Sequence, residues 1–262
     1  MRVAAAQIAC VPGDLTANLG KLREFAERAK AADAELVVFP EVADTGYSMA
    51  AIRATARSWE EGAVPALCEW AQEFSLSIVC GVAEREGESI YNSQVAIDHA
   101  GRVIEKYRKT HLFCGGTTDE TACFAPGDRI ASFADGEFQF GLSICYDLRF
   151  PEIYRRLALE DQANVFLVSS AWPFPRVEHL RVLALARAIE NQSYLVLANR
   201  VGTDAELTFC GGSAIIDPSG VVLISAGTEK EEIVVADLSP ENLCKVREKM
   251  AVFAHRRQDL YQ

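Results

Sequence analysis

No apolar run in the sequence approaches the roughly 18 residues that a membrane-crossing helix needs, so no membrane-bound element is expected. The apolar start, Met1 to Cys10, is short and interrupted by Gln7. It lacks the charged and apolar regions of an export signal and reads as a first strand. Positive charge is also scarce. With 26 Lys and Arg against 37 Asp and Glu, the net charge is -11, which argues against binding along a phosphate backbone and so against nucleic acid as a partner. Only four histidines are present. There is no C-x-x-C pair, no Cys/His cluster at zinc spacing, no H-E-x-x-H, no Walker loop and no G-x-G-x-x-G after a strand, so neither a metal nor a nucleotide cofactor is expected.

Cysteine is not scarce. Eight are scattered along the chain, several inside apolar runs, which suits reduced thiols in a cytoplasmic protein better than a disulfide framework. The mix of 50% hydrophobic and 24% charged residues over 262 positions is that of an ordinary globular chain, long enough to bury a core without staples, as one large domain or two small ones.

Strand-like and helix-like runs alternate, which gives an α/β fold class. Val3 to Ile8, Glu35 to Phe39 and Ser77 to Gly81 read as strands. Leu19 to Ala32 and Pro65 to Phe74 read as helices, and the segment around Gly46 and Tyr47 as a loop. Tyr91 to Ile97 and Arg102 to Tyr107 form a hairpin over Asp98-His-Ala-Gly101. Cys114 to Cys123, rich in Gly and Thr, reads as a loop. In the second half, Phe138 to Ile144, Asn164 to Ser169 and Tyr194 to Asn199 read as strands, and Glu152 to Leu159 and Val177 to Asn191 as helices. A second hairpin turns over Asp217-Pro-Ser-Gly220 and matches the first closely enough to suggest two related α/β halves. The charged tail, from about residue 240, reads as a surface-wrapping segment or a subunit contact.

Three strand ends each deliver one reactive group. Glu41 follows Phe39-Pro40, Lys109 follows the first hairpin, and Cys145 follows Ile144. A cysteine between a strand end and a helix opened by Pro151 can sit at the positive end of a helix dipole, a setting that favours thiolate. A lone cysteine is more often an inert core residue, a lone glutamate a surface acid, and a Lys109 beside Lys106 and Arg108 part of a solvated face. Taken together, a carboxylate, an ammonium and a thiol can perform acyl transfer.

Phe39-Pro-Glu41, Tyr107-Arg-Lys-Thr-His-Leu-Phe113 and Cys145-Tyr-Asp-Leu-Arg-Phe-Pro-Glu152 stand in the order of three catalytic blocks. With Thr45-Gly-Tyr47, Tyr91-Asn-Ser93, Ala186-Arg-Ala-Ile-Glu-Asn-Gln192 and Asn199-Arg-Val-Gly202, the chain resembles the nitrilase superfamily of carbon–nitrogen hydrolases from Val3 to about Asp237. The resemblance implies a single domain over residues 1–262, a four-layer αββα sandwich and pairing of subunits, with the tail contributing to the contact. It implies a Glu-Lys-Cys triad. Glu41 would be the general base, Lys109 and the backbone N–H of Tyr146 the oxyanion donors, and Cys145 the nucleophile that forms a thioester. It also implies a second site glutamate after the lysine block, which is Glu120, with Asp119 next door as the alternative. Trp172 and Tyr47 are candidate pocket walls or ordinary packing, and Arg176 a candidate partner for a substrate carboxylate. Arg149 and Glu152 are expected to brace the turn after the nucleophile through ion pairs, and Arg187, Glu190 and Asn191 to be structural.

The cysteine block, together with Ala171-Trp-Pro-Phe-Pro-Arg176, is similar to omega-amidases, which hydrolyse the terminal amide of 2-oxo dicarboxylate monoamides. The expected substrate is therefore a small aliphatic amide, and no cofactor is needed. The alternatives are an N-carbamoyl or nitrile hydrolase of the same superfamily, a papain-like enzyme pairing Cys145 with His111 or His179, and a non-catalytic binding protein on this scaffold.

Overall fold

The computed structural model describes residues 1–204 and 207–260. The first half runs β1 (Arg2–Gln7), α1 (Leu15–Ala31), β2 (Leu36–Val38), α2 (Met49–Thr55), α3 (Val64–Phe74), β3 (Ser77–Glu86), β4 (Ser89–Ile97) and β5 (Val103–Arg108). A small hairpin, β6 (Cys114–Gly115) and β7 (Thr118–Asp119), follows. The second half runs β8 (Ser132–Asp135), β9 (Phe138–Ile144), α4 (Pro151–Leu159), β10 (Val165–Ser170), α5 (Val177–Asn191), β11 (Tyr194–Asn199), β12 (Val201–Thr203), β13 (Thr208–Cys210), β14 (Ala214–Ile216) and β15 (Val222–Ser225). The chain closes with β16 (Glu232–Asp237) and α6 (Pro240–Lys249).

Two six-stranded sheets result, in the orders β16-β1-β2-β3-β4-β5 and β15-β14-β11-β10-β9-β8. In each, three parallel strands are followed by two antiparallel ones, and an antiparallel strand closes the other edge. The related halves expected from the two hairpins are therefore present as topology. Their turns match atom for atom. Asp98 Oδ1 accepts from the N–H of Ala100 and Arg102, and Asp217 Oδ1 from the N–H of Ser219 and Val221. Gly101 and Gly220 close them at φ of 79° and 83°, a region that favours glycine.

Strand alternation splits the apolar residues of each sheet between two faces. Ala4, Ala6, Val37 and Ile78 face α1 and α3, meeting Leu22, Phe25, Leu67 and Ala71. Val3, Ala5, Leu36, Val38 and Val79 face the second sheet and share a core with Phe140, Leu142, Phe166 and Leu167. That core continues to Ile153, Leu157, Leu180 and Ala184 of α4 and α5. The order is helix, sheet, sheet, helix, a four-layer αββα sandwich.

Several boundaries differ from the sequence reading. Helix α1 begins at Leu15 because Asp14 caps it, accepting the N–H of Ala17. Residues read as loop after Tyr47 form α2, capped by Ser48. Strand β3 continues to Glu86, since buried Glu84 is paired with Arg108 and Lys106. The edge strands β8 and β16 were not evident from sequence. All eight cysteines are free. Among the described residues no helix is long and apolar enough to cross a membrane. The tail folds onto its own chain. Leu243 of α6 is buried, and Gln192 at the end of α5 donates to the carbonyls of Val246 and Met250.

Candidate active site

Glu41 follows β2, Cys145 follows β9, and Ser170 ends β10, all at the carboxyl ends of parallel strands. Strand β5 runs in the same direction as β3 after two reversals, so Lys109 emerges at the same end. Open α/β sheets bind ligands at this end, where side chains leave the ladder and converge.

Lys109 Nζ lies 2.6 Å from Glu41 Oε1 and 2.8 Å from Glu120 Oε1, with all three side chains fully buried. An ammonium has three donors; two are committed here and one remains. Glu41 is fixed by three bonds. Its Oε1 accepts from Lys109 and from Asn92 Nδ2 at 2.7 Å, and its Oε2 from the N–H of Ala171 at 2.9 Å. Glu120 accepts from Tyr47 Oη at 2.6 Å and from the N–H of Phe113 at 2.7 Å as well as from Lys109. Glu120, not Asp119, is thus the acid brought to the lysine. Asp119 is exposed and caps the 3₁₀ turn that carries Glu120 inward. The Cys114 to Cys123 segment, read as a loop, is a small hairpin plus that turn.

The backbone around Glu41 is tightly specified. Val42 has φ of 40°, a left-handed conformation that is strained for a β-branched residue. Gly81 of β3 lies so close that a Cβ there would sit 2.5 Å from Pro40 O and 2.6 Å from Glu41 Cα. Asp44 ties the same turn to β3, its Oδ1 accepting from the N–H of Thr45 and of Ala83.

Cys145 opens a 3₁₀ turn, Cys145–Arg149, at φ of 44°, so the nucleophile candidate also sits in a strained conformation. The N–H of Tyr146 lies in the first turn, where helical N–H groups lack an intrahelical partner. The expectation that a helix dipole favours thiolate is not met. Helix α4 starts only at Pro151, and burial, followed by the Glu41 carboxylate, pushes the Cys145 thiol well above its usual range, with Lys109 and the Ser170 hydroxyl opposing. Burial also raises the Glu41 carboxyl, against the pull of Lys109. Burial disfavours the Lys109 charge, but Glu120 and Glu41 outweigh it and hold the ammonium above its ordinary value. The resting arrangement is a thiol beside a carboxylate of raised basicity and a fixed cation. A nucleophilic role for Cys145 would require its proton to pass first to a base, and Glu41 is the carboxylate beside it.

Arg149 does not brace this turn through an ion pair. Among the described residues Arg149 has no carboxylate partner; its guanidinium lies 4.8 Å over the Trp172 ring and lines the cavity. Glu152 is exposed. The bracing comes from Asp147, which the sequence reading did not single out. Its Oδ2 accepts from the N–H of Ile144 and from Tyr107 Oη, and its Oδ1 lies 3.0 Å from His111 Nδ1. Arg187 adds to it, donating twice to the Leu148 carbonyl and pairing with Glu190. Asn191 donates to the Arg187 carbonyl, in keeping with a structural role for this trio. His111 is stacked on Phe150 against Asp147, and exposed His179 lies 3.2 Å from Arg149 Nη2. Both candidate histidine bases are thus engaged elsewhere.

A cavity of about 290 Å³ opens onto Cys145, walled by Tyr47, Phe113, Tyr146, Trp172 and Leu207, with Arg149 and Arg176 as its charged members. Trp172 is buried and anchored, its Nε1 donating to the Arg176 carbonyl and its N–H to Asn199 Oδ1. Arg176 Cζ lies 5.6 Å from the Phe113 ring. Among the described residues, no cluster of three or more His, Cys, Asp or Glu could hold a metal ion.

The family model described as carbon-nitrogen hydrolase matches residues 2–248. A 2-oxoglutaramate amidase of Bacillus subtilis (strain 168) is 37% identical over 261 residues, covering 97% of this chain and 98% of the relative. Among solved structures, Nit3 of Saccharomyces cerevisiae, described as a member of branch 10 of the nitrilase superfamily, superposes with a TM-score of 0.89. It is 31% identical and covers 98% of this chain and 96% of its own. A mutant of the amidase from Nesterenkonia sp. AN1, showing covalent addition of the acetamide moiety of fluoroacetamide at its active site cysteine, superposes with a TM-score of 0.88. It is 30% identical over 100% of this chain and 95% of that one. With a buried Lys109 held between two carboxylates beside Cys145, and with these likenesses running the length of the chain, the protein belongs to the carbon–nitrogen hydrolase family of the nitrilase superfamily.

Proposed function

We propose that this protein hydrolyses the terminal amide of a small aliphatic substrate that also carries a carboxylate, of the 2-oxo dicarboxylate monoamide kind, to the free acid and ammonia. The observation that carries the chemistry is Lys109 Nζ, buried between Glu41 and Glu120 with one donor left over. Glu41 takes the thiol proton of Cys145, and the sulfur attacks the amide carbonyl. The oxyanion is held by Lys109 Nζ and the N–H of Tyr146. Removing one such donor typically costs on the order of 100- to 1000-fold in rate. Glu41 returns the proton to the leaving nitrogen, which departs as ammonia and leaves a thioester. Glu41 then activates water, and the acid is released with Cys145 restored. Glu120 stays out of the proton traffic and fixes Lys109 in place.

Two features support a carboxylate on the substrate. Arg149 and Arg176 are the charged residues of a mainly apolar cavity, which contains no Asp or Glu among its described lining residues. The relatives named 2-oxoglutaramate amidase and omega-amidase point the same way. Trp172, Tyr47 and Phe113 would wall the aliphatic part. We further propose a single domain, supported by a core shared between both sheets, and a homodimer or higher oligomer. A cytoplasmic location suits its eight free thiols.

The test is ammonia release across a panel of omega-amides, simple aliphatic amides, nitriles and N-carbamoyl compounds, with mass spectrometry of the Cys145 peptide. Turnover of carboxylate-bearing amides, an acyl adduct on Cys145, and loss of both in Cys145→Ala are expected. Turnover of nitriles but not amides, or loss of activity in His111→Ala with Glu41→Gln unaffected, overturns the reading.

A further inference from the structure

Strands β9 and β10 run parallel with Ile144 opposite Ser169. The next residues, Cys145 and Ser170, therefore leave the sheet side by side. Strand alternation turns Ser169 and Ser170 to opposite faces. Ser169 is spent on joining the sheets, its Oγ donating to the Phe39 carbonyl at 2.7 Å and accepting from Gln94 Nε2 at 2.9 Å. Ser170 is as deeply buried, and its carbonyl accepts from the N–H of Arg200. Its hydroxyl has no hydrogen-bond partner of good geometry among the described residues. What adjoins it is the Cys145 thiol.

A buried hydroxyl left without a partner is costly, and native proteins rarely tolerate one. A neutral thiol is a weak acceptor; a thiolate is a strong, charged one. We propose that the Ser170 hydroxyl is a donor reserved for the charged sulfur of Cys145, poorly satisfied by the resting thiol and satisfied by the thiolate. This rests on Cys145 being the nucleophile. Glu41 takes the thiol proton, while Ser170 keeps its own and shares it with Sγ; no bond to Ser170 forms or breaks. The donor acts twice, when the thiolate is generated for attack and when sulfur leaves the thioester as water adds. A donor stronger in the charged state than in the resting one accelerates the step, since only differential stabilisation does so.

The surroundings explain the need for it. Around the sulfur stand the carboxylates of Glu41 and Glu120, the ammonium of Lys109 and the phenols of Tyr47 and Tyr154, with Arg149 farther out on the cavity wall. Two anions beside one ammonium make the sulfur reluctant to lose its proton. A hydroxyl eases that without adding charge to a dry site. The end of β10 thus serves both reacting groups, with the Ala171 N–H holding Glu41 and the preceding Ser170 hydroxyl meeting Cys145.

The experiment compares wild type with Ser170→Ala, Ser170→Gly and Ser170→Thr. The rate of iodoacetamide alkylation at Cys145 is followed against pH by mass spectrometry of its peptide, alongside kcat, KM and Tm. Ser170→Ala and Ser170→Gly are expected to move the alkylation profile about 1 pH unit upward, the size of one lost hydrogen bond to a charged group. Their kcat should fall about 10-fold with KM within about twofold, and Ser170→Ala should keep or raise Tm because a poorly satisfied donor is gone. Ser170→Thr, which keeps the hydroxyl, should restore the wild-type profile. An alkylation profile in Ser170→Ala and Ser170→Gly that superposes on wild type overturns the inference, as does a kcat loss that merely tracks a lower Tm. A wild-type enzyme that turns over amide without any acyl adduct on Cys145 overturns the nucleophile assignment instead.

Discussion

At the scale of single residues, burial sets the proton chemistry. Asp44 stands three residues past Glu41, and its Oδ1 accepts the N–H of Thr45 and Ala83, pinning the base to β3. Burial pushes its carboxyl up to about 7, with those hydrogen bonds opposing. In an unfolded chain an aspartate titrates near ~3.9. Between the two values the native state holds a proton that the unfolded state has lost. The stabilising contribution is therefore complete below the unfolded value and is lost as pH rises through about 7. Wild type should lose stability between pH 5 and 8 that Asp44→Asn does not, a difference of about 2–3 kcal/mol at about 1.4 kcal/mol per unit. The variant keeps the accepting oxygen and removes the titration. Urea melts at several pH values check this, and parallel pH–stability curves for the two proteins exclude it.

At the scale of elements, two short turns carry the site and each is held from the neighbouring sheet. Cys145 and Val42 both adopt positive φ, conformations that persist only when surrounding contacts over-determine them. For Cys145 those contacts converge on Asp147, which takes the N–H of Ile144 on the nucleophile strand and the hydroxyl of Tyr107, two residues before Lys109. One carboxylate thus sets the distance between the proposed nucleophile and the proposed oxyanion donor. Asp147→Ala would orphan two buried donors at about 1–3 kcal/mol each, and in a chain of this length each kcal/mol lowers Tm by about 2–4 °C. We expect kcat to drop on the order of 100-fold, well beyond the effect on KM, because the geometry lost is that of the transition state. Stopped-flow acylation with calorimetry would decide it; wild-type acylation in Asp147→Ala would remove Asp147 from the mechanism.

At the scale of the whole molecule, the sandwich leaves one outer face apolar. On α5, Val182 and Ile189 are each about half exposed and lie two turns apart on the same side. Beside them runs the edge strand β15, where Val222, Leu223 and Ile224 are exposed, with Val221 in the preceding turn and Gly220 packed on Ile189. An exposed apolar edge strand is an aggregation hazard unless covered, and a second copy of the chain is the cover proposed here. Sedimentation at micromolar concentration should give a dimer or larger, and Val182→Glu combined with Leu223→Lys should give monomers that retain the Lys109 cluster. A monomeric wild type would count against it.

Much of this was legible in the sequence. Glu41 and Cys145 each stand one or two residues past an apolar run, and strand ends can be read from such runs because burial dictates residue type along a ladder; Lys109 follows a mixed, half-exposed hairpin strand and was legible through the block Tyr107 to Phe113. The paired hairpins could be read for a similar reason, since Asp at the first turn position and Gly at the last are demanded by local backbone geometry. The edge strands β8 and β16 were not legible: β8 is short and half-exposed, and β16 is half-exposed and pairs with β1 at the other end of the chain. Asp147, Asn92 and Asp44 were missed because a carboxylate or amide inside a motif does not announce which distant N–H it will meet. Arg149 was misassigned because proximity in sequence suggested an ion pair, whereas its guanidinium lies over Trp172. The sequence by itself determined the α/β pattern and the family, the first because strand and helix runs follow from local burial and residue type, the second because the three blocks stand in order. The tertiary structure alone decided that Glu120 rather than Asp119 reaches Lys109, that burial pushes the Cys145 thiol up, and that Ser170 lies against it. Each of these depends on desolvation and on side chains from separate strands meeting at one end of two sheets.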